Sequence, residues 1–157
     1  KAIRLFEKHG VFTSTELHAR SEVLFESYSK AINIEAKTMI DMASKLYIPS
    51  VIRYITSLAE SINSVTAAVP DADVSVQTEL LKKASQLLAQ TQSELMKLKL
   101  ADQKAAKVEG AEEQARYFHD EVYTQMAKLR APVDELECMV DKEFWPVPQY
   151  ADLMFEV

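Results

Sequence analysis

Glycine is nearly missing from this chain, with 2 in 157 residues, and there are only 5 prolines. These residues punctuate loops and turns, so few loops and long uninterrupted elements are expected. A single cysteine, Cys138, excludes an intrachain disulfide and any structural zinc site built on several thiolates. That fits a reducing, cytoplasmic compartment. No apolar run approaches the roughly 20 residues that a membrane-spanning helix needs, and no signal peptide is visible, so no membrane partner is expected. A basic excess is also lacking: the net charge is −6 and the pI about 5.1. The basic clusters, Lys82-Lys83 and Lys97/Lys99, are flanked by acids. Neutralising phosphates takes a basic stripe, so no nucleic-acid partner is expected. Strand signals are almost absent, since the β-branched stretch Tyr47–Ile52 lies inside a helical pattern.

What is present is helix-forming. Alanine, leucine, lysine, glutamate and glutamine are abundant, and they lose little rotamer freedom in a helix. Hydrophobic residues make up 48%, enough for a real core. The expected fold class is all-α: a bundle of long antiparallel helices with a coiled-coil-like hairpin and an extended, Pro-rich C-terminal tail. It reads as one domain over 1–157, made of N-terminal helices (1–69), a helical hairpin (74–143) and a docking tail (144–157).

Local signals place the elements. Lys1–His9 is a short amphipathic helix, closed by Gly10 at the left-handed C′ position and with His9 in its last turn. It starts on Lys1-Ala2-Ile3 with no cap and no initiating Met, which reads as a fragment of a longer protein. Thr13-Ser14-Thr15-Glu16 is a capping box. Beyond it Leu24, Tyr28, Ile32, Ala36, Met39, Ala43 and Tyr47 recur at spacings of three and four. The stripe keeps its phase past Pro49 through Val51, Ile55, Leu58, Ile62 and Val65, which predicts a kink or short break and no domain boundary. After a turn at 69–73, the stripe Leu80, Ala84, Leu87, Thr91, Leu95, Leu98, Ala101, Ala105, Val108 faces a second: Ala111, Ala115, Phe118, Val122, Met126, Leu129, Val133, Leu136, Val140. Two stripes with a short link, interrupted by Gly110, predict an antiparallel hairpin that places Leu87 near 126–133. Pro132 lies inside a stripe that keeps its phase, so it should bend its helix without ending it. Phe144–Tyr150 contains Pro146 and Pro148 and cannot be regular helix. The tail is still apolar enough, through Trp145, Leu153 and Phe155, to dock on this bundle or on another subunit.

Chemistry is thin. The two glycines are isolated, so no phosphate-cradling loop exists. His9, His18 and His119 lie in no metal-binding spacing. His119, beside Asp120, reads as a boundary histidine more readily than as a general base. Cys138, between Leu136 and Val140, reads as a small hydrophobe because no base accompanies it. No catalytic, cofactor-binding or metal-binding residue is therefore expected in this chain. Glu35 and Asn33 interrupt a greasy helix, with Asp41 further along. A buried Glu35 would need a partner, with Lys83, Arg53 and Arg116 as options, or an interface to missing parts of the protein. Glu35, Asn33, Trp145, Tyr150, Leu153 and Phe155 are the structural or interface candidates.

Two stretches carry a resemblance. Ala31-Ile-Asn-Ile-Glu-Ala-Lys-Thr-Met-Ile-Asp-Met-Ala-Ser-Lys45, followed by Ile48-Pro49 and Tyr54, is one. Leu129-Arg-Ala-Pro-Val-Asp-Glu-Leu-Glu137, followed by Trp145-Pro-Val-Pro-Gln-Tyr-Ala-Asp-Leu-Met-Phe155, is the other. Both resemble the C-terminal region of the type III glutamine synthetases, and Leu5–Thr13 and Thr78–Lys83 fit in register. The resemblance implies a parent enzyme that makes glutamine from glutamate, ammonia and ATP with Mg or Mn, bound in an upstream β-rich domain whose motifs match nothing here. It also implies double-ring assemblies, with the rest of the parent chain and neighbouring subunits of a homo-oligomer as partners. The alternative is a free-standing helical interaction module with an apolar groove.

Overall fold

The computed structural model describes residues 2–148 and 150–155; of Tyr150, Ala151 and Phe155 it describes the backbone alone. Among the described residues every regular element is helical: α1 (Ala2–Lys8), α2 (Ser14–Met42), a π-helical turn at Ala43–Tyr47, α3 (Ile48–Ala68), α4 (Ser75–Ala105), α5 (Ala111–Tyr117), a second π-helical segment at Phe118–Tyr123, α6 (Thr124–Glu137) and α7 (Tyr150–Phe155). This is the all-α bundle that the composition requires.

α2, the first π turn and α3 are continuous, so residues 14–68 form one rod, on the order of 80 Å long at 1.5 Å per residue. The break expected at Pro49 is this π turn, in which the Ile48 N–H reaches back five residues to the Ala43 carbonyl. Proline has no N–H to offer and its ring crowds the preceding turn. Widening that turn by one residue places Pro49 in the first turn of α3, where no donor is needed.

α4 folds back antiparallel along α3, and α5–α6 returns along α4. Both stripes of the hairpin point inward, with Ala84, Leu87, Thr91, Leu95, Leu98 and Ala105 buried against Ala115, Phe118, Val122, Met126, Leu129 and Leu136. Leu87 shares a cluster with Leu136 and half-buried Val133. The register is pinned at two points. Gln125 Nε2 donates to the Glu94 carbonyl at 3.3 Å and to Glu94 Oε2 at 2.6 Å, and Gln114 Nε2 donates to the Ala105 carbonyl at 3.2 Å. Hydrogen bonds from Lys97 and Gln125 hold the Glu94 carboxyl below its ordinary range. Pro132 sits inside α6, buried, and the helix runs through it.

Two cores fill the bundle. One joins Ile32, Ala36 and Ala43 to Leu95, Leu98, Phe118, Val122 and Leu129. The other joins Val51, Tyr54, Ala84, Leu87, Leu136, Val140 and Trp145. Both ends of the rod project past these cores. No side chain described in 2–28 is buried, nor is any in 55–83. Leu24, which the stripe places on the inner face, is 70% exposed: it lies about 120° round the helix from buried Ala36.

The N-terminal end is nonetheless built. Gly10 has φ +63 and closes α1, with Val11 N–H on the Phe6 carbonyl and Gly10 N–H on the Glu7 carbonyl. Thr13 and Glu16 then form the reciprocal capping box, the Thr13 N–H donating to Glu16 Oε2 at 2.8 Å and the Glu16 N–H to Thr13 Oγ1 at 3.3 Å. Phe6 meets Phe12 at 5.7 Å between ring centroids, and the Arg20 guanidinium lies over the Phe12 ring.

Removing the cap by Thr13→Ala should weaken this hook by about 1 kcal/mol. The hook lies outside the cores, so the loss is local. Amide exchange should accelerate across residues 2–20 while the melting temperature stays put. The Thr13 backbone N–H holds the Glu16 carboxyl below its ordinary value. That contribution is present above the unfolded pKa and is lost as pH falls through the folded one, so the difference between wild type and variant should shrink in acid. Equal exchange rates at neutral pH would contradict the cap.

The tail departs from a purely extended run. After α6 the chain turns at 138–144, with the Trp145 N–H on the Asp141 carbonyl at 3.1 Å. Trp145–Pro148 is irregular, and Tyr150–Phe155 then forms a helical turn, tied back by an ion pair between Lys142 and Asp152. Gln149, Glu156 and Val157 lie outside the described residues.

Candidate functional site

The residues that could carry chemistry are scattered. His9, His18 and His119 are exposed and far apart in sequence. His119 Nδ1 sits 2.8 Å from Asp120 Oδ1, its ring near Tyr28 and Tyr123, on an open face with no cleft. Cys138 is exposed rather than packed as a small hydrophobe, because α6 ends one residue earlier and the following turn swings it outward. Among the described residues no three of His, Cys, Asp and Glu gather to hold a metal ion, and no helix is long and apolar enough to cross a membrane.

Glu35 corrects an expectation. It is exposed, on the solvent side of α2, while Ile32 and Ala36 take the inner face. The apolar neighbours that suggested burial belong partly to that outer face: Ile34 is largely exposed as well. Of the proposed partners, Arg116 pairs with Glu112 and Arg53 donates to Ser50 Oγ at 2.8 Å. Asn33 is half-buried, with an Oδ1 that makes no hydrogen bond.

Trp145 lies in the second core, 7% exposed, stacked on Tyr47 with ring centroids 5.1 Å apart. Burial raises the pKa of the Tyr47 phenol, with Glu137 and Asp134 adding to it, so the ring stays neutral. Beside this stack runs a groove of about 480 Å³ between the first π turn, α6 and the tail, lined by Met39, Met42, Tyr47, Leu129 and Leu153 among others. Leu153 borders it while 66% exposed. The side chains of Tyr150 and Phe155 lie outside the described residues.

The other candidate surface is the projecting arm. On α2, Val23 is 62% and Leu24 70% exposed, beside Ala19 and Arg20 in a shallow groove. Val23 and Ile34 are eleven residues apart, three helical turns, and so share one face. α2 thus carries two apolar faces, one against α4 and α5 and one bare. Sequence reading missed the second because both were merged into one greasy helix; the signal was there in Val23 and Ile34, out of phase with Ile32 and Ala36.

Comparison with known proteins adds a family. Residues 1–66 match the family model described as "Glutamine synthetase C-terminal domain". Over 99% of its length the chain is 29% identical to a type-3 glutamine synthetase of Dictyostelium discoideum. Over its full length it is 30% identical to a glutamine synthetase of Butyrivibrio fibrisolvens, and over 92% it is 27% identical to one of Bacteroides fragilis. The chain spans about a fifth of these relatives, 22%, 22% and 20% of their length.

Proposed function

We propose that this chain, which belongs to the type III glutamine synthetases through their C-terminal domain, serves its parent enzyme as a non-catalytic packing and assembly domain. The parent makes glutamine from glutamate, ammonia and ATP in the cytoplasm. Its nucleotide and divalent metal are held elsewhere. The donor set for them does not fit here, since the glycines are isolated at Gly10 and Gly110 and no carboxylate–histidine cluster forms among the described residues. Glu35, Asn33 and the tail residues Trp145, Tyr150, Leu153 and Phe155 are support positions on this reading, with no part in the chemistry.

One observation carries the reading. The arm over 2–28 is locally well built, by a cap, a closing turn and an aromatic contact, yet it buries none of its described side chains and leaves Val23 and Leu24 bare. A structured apolar surface of this kind marks a site covered by another polypeptide, and the remaining four-fifths of the parent is the polypeptide at hand.

The test has two arms. The 157-residue chain, given ATP, magnesium or manganese, glutamate and ammonia, should form no glutamine. In the full-length parent, Val23→Asp with Leu24→Asp should lower the assembled mass at micromolar concentration, weakening association at least tenfold. Turnover by the chain alone, or an unchanged assembly, would overturn the proposal.

A further inference from the structure

The outer face of the α3–α4 pair lacks what other exposed helix faces of this molecule have. On α2, α5 and α6 such faces are laced by ion pairs one turn apart, Glu26 with Lys30, Glu112 with Arg116 and Arg130 with Asp134. Charged residues make up 27% of the chain, yet 84–93 contains none and 48–59 contains only Arg53. Burial explains one side of these segments: Val51, Tyr54, Ala84 and Leu87 lie in the second core. It does not explain the other. Ile48, Ile52 and Ile55 of α3 and Ser85, Leu88 and Ala89 of α4 line an open groove of about 450 Å³ between the two helices. Ile52 is 49% exposed, and Ser85 and Ala89 are exposed as well. A bare face without charge has the composition found at the centre of protein interfaces, where charged residues are depleted.

We infer that this face pairs with the same face of a second copy of the chain, about a two-fold axis running along the helices. The pairing adds a surface and its occupant to the assembly reading above, and it does not depend on the contact at Val23 and Leu24. Three physical points select a second copy. The first is shape. α3 presents a ridge of isoleucines, and α4 presents the small side chains of Ser85 and Ala89 one turn apart. A two-fold contact is isologous, so it lays α3 of each copy along α4 of the other, ridge into trough twice over. The second is charge. The next positions round the two helices are Arg53 and Glu60 on α3 and Glu79 and Lys82 on α4, all exposed. The rim therefore sums to zero, and a second copy can approach it without the repulsion that a net charge of −6 imposes elsewhere. The third is area. The face runs over 48–62 and 78–92, about 22 Å long and two helix widths of roughly 10–12 Å across. That is roughly 500 Å² of each copy and about 1,000 Å² in all, the lower bound for a specific interface, so the pair is weak and reversible.

The experiment uses the 157-residue chain, which carries both cores within itself. Sedimentation equilibrium compares four proteins: wild type, Ile52→Glu/Ala89→Glu, Gln92→Lys, and the Val23→Asp/Leu24→Asp arm variant. The expected wild type is a monomer–dimer equilibrium with a Kd below about 1 mM. Ile52→Glu/Ala89→Glu should weaken it at least tenfold. Both replaced side chains are exposed, so its melting temperature should match wild type, which controls for misfolding. Gln92→Lys sets a like charge on each side of the groove, should also weaken the dimer, and keeps the test alive if the double variant fails to fold. The arm variant should dimerise as wild type does. A wild type that stays monomeric at about 1 mM, or face variants that associate as tightly as wild type, would overturn the pairing and leave the assembly reading to its own test in the parent. Dimerisation lost in the arm variant alone would place the contact at Val23 and Leu24, overturning the pairing while supporting that reading.

Discussion

Replacing Phe118 with alanine is expected to lower the stability of this chain by about 3–5 kcal/mol, the range for a large aromatic truncated inside a core. Phe118 opens the second π segment and is 2% exposed, first by volume among the fully buried side chains. It belongs to the core in which α2, α4 and the α5–α6 helix meet, with Ile32, Ala36, Leu95, Leu98 and Val122. Those neighbours sit on three separate helices, each fixed by its own backbone hydrogen bonds, so the site cannot collapse to fill the void. At about 2–4 °C per kcal/mol for a domain of this size, the melting temperature should fall by roughly 10 °C. Circular dichroism at 222 nm measures it directly. Val23→Ala, on the bare face of α2, is the matched control and should move the midpoint by under about 0.5 kcal/mol. A Phe118→Ala loss below about 1 kcal/mol would mean that α5 does not pack across α2 and α4 in this way.

Trp145→Ala is the second large effect, also about 3–5 kcal/mol, and it distinguishes the two docking modes that the sequence left open. The ring is stacked on Tyr47 and shares a core with Val51, Tyr54 and Leu136, so the loss should register in this chain without any partner. Its Nε1 is buried and makes no hydrogen bond, which costs about 1–3 kcal/mol against an apolar isostere. Trp145→Phe should therefore be far milder than Trp145→Ala, because it keeps most of the ring contact and removes the orphan donor. Trp145 is the single tryptophan, so wild-type fluorescence reports the same event: blue-shifted emission in the native chain, moving red on unfolding. A red-shifted native spectrum, or an alanine variant as stable as wild type, would place the tail off the bundle.

The hairpin was readable because two stripes of nine apolar or small positions each agree with one helical period, and almost every one of them faces inward in the structure. Gly10 and the Thr13–Glu16 box were readable because each has a specific local chemistry. What a run of four-residue spacings could not give was a constant face. Each such step drifts by about 40° around an α-helix, so Leu24 lies about 120° from Ala36 and stays bare. Glu35 was misplaced for a related reason: apolar neighbours in sequence, such as Ile34, can sit on a face that the bundle never covers. The π segments were legible in one case only. Pro49 announces the first by withholding a donor, whereas nothing in Phe118-His-Asp-Glu-Val-Tyr123 signals that the turn widens there. The helical turn at 150–155 follows two prolines and was hidden by them. The roles proposed for Asn33 and the tail concern surfaces beyond this chain, which its own residues outline by what they leave uncovered.

The unbroken rod over 14–68 has a mechanical consequence. Because the π turn at 43–47 preserves continuity where proline would ordinarily interrupt it, the two ends of the rod belong to one continuous helix whose middle lies in the core. A tilt of about 5° at the bundle would sweep either end through roughly 3–4 Å, given half-lengths near 40 Å at 1.5 Å per residue. A small adjustment at one end of the rod would thus arrive at the other as a displacement about the width of a side chain.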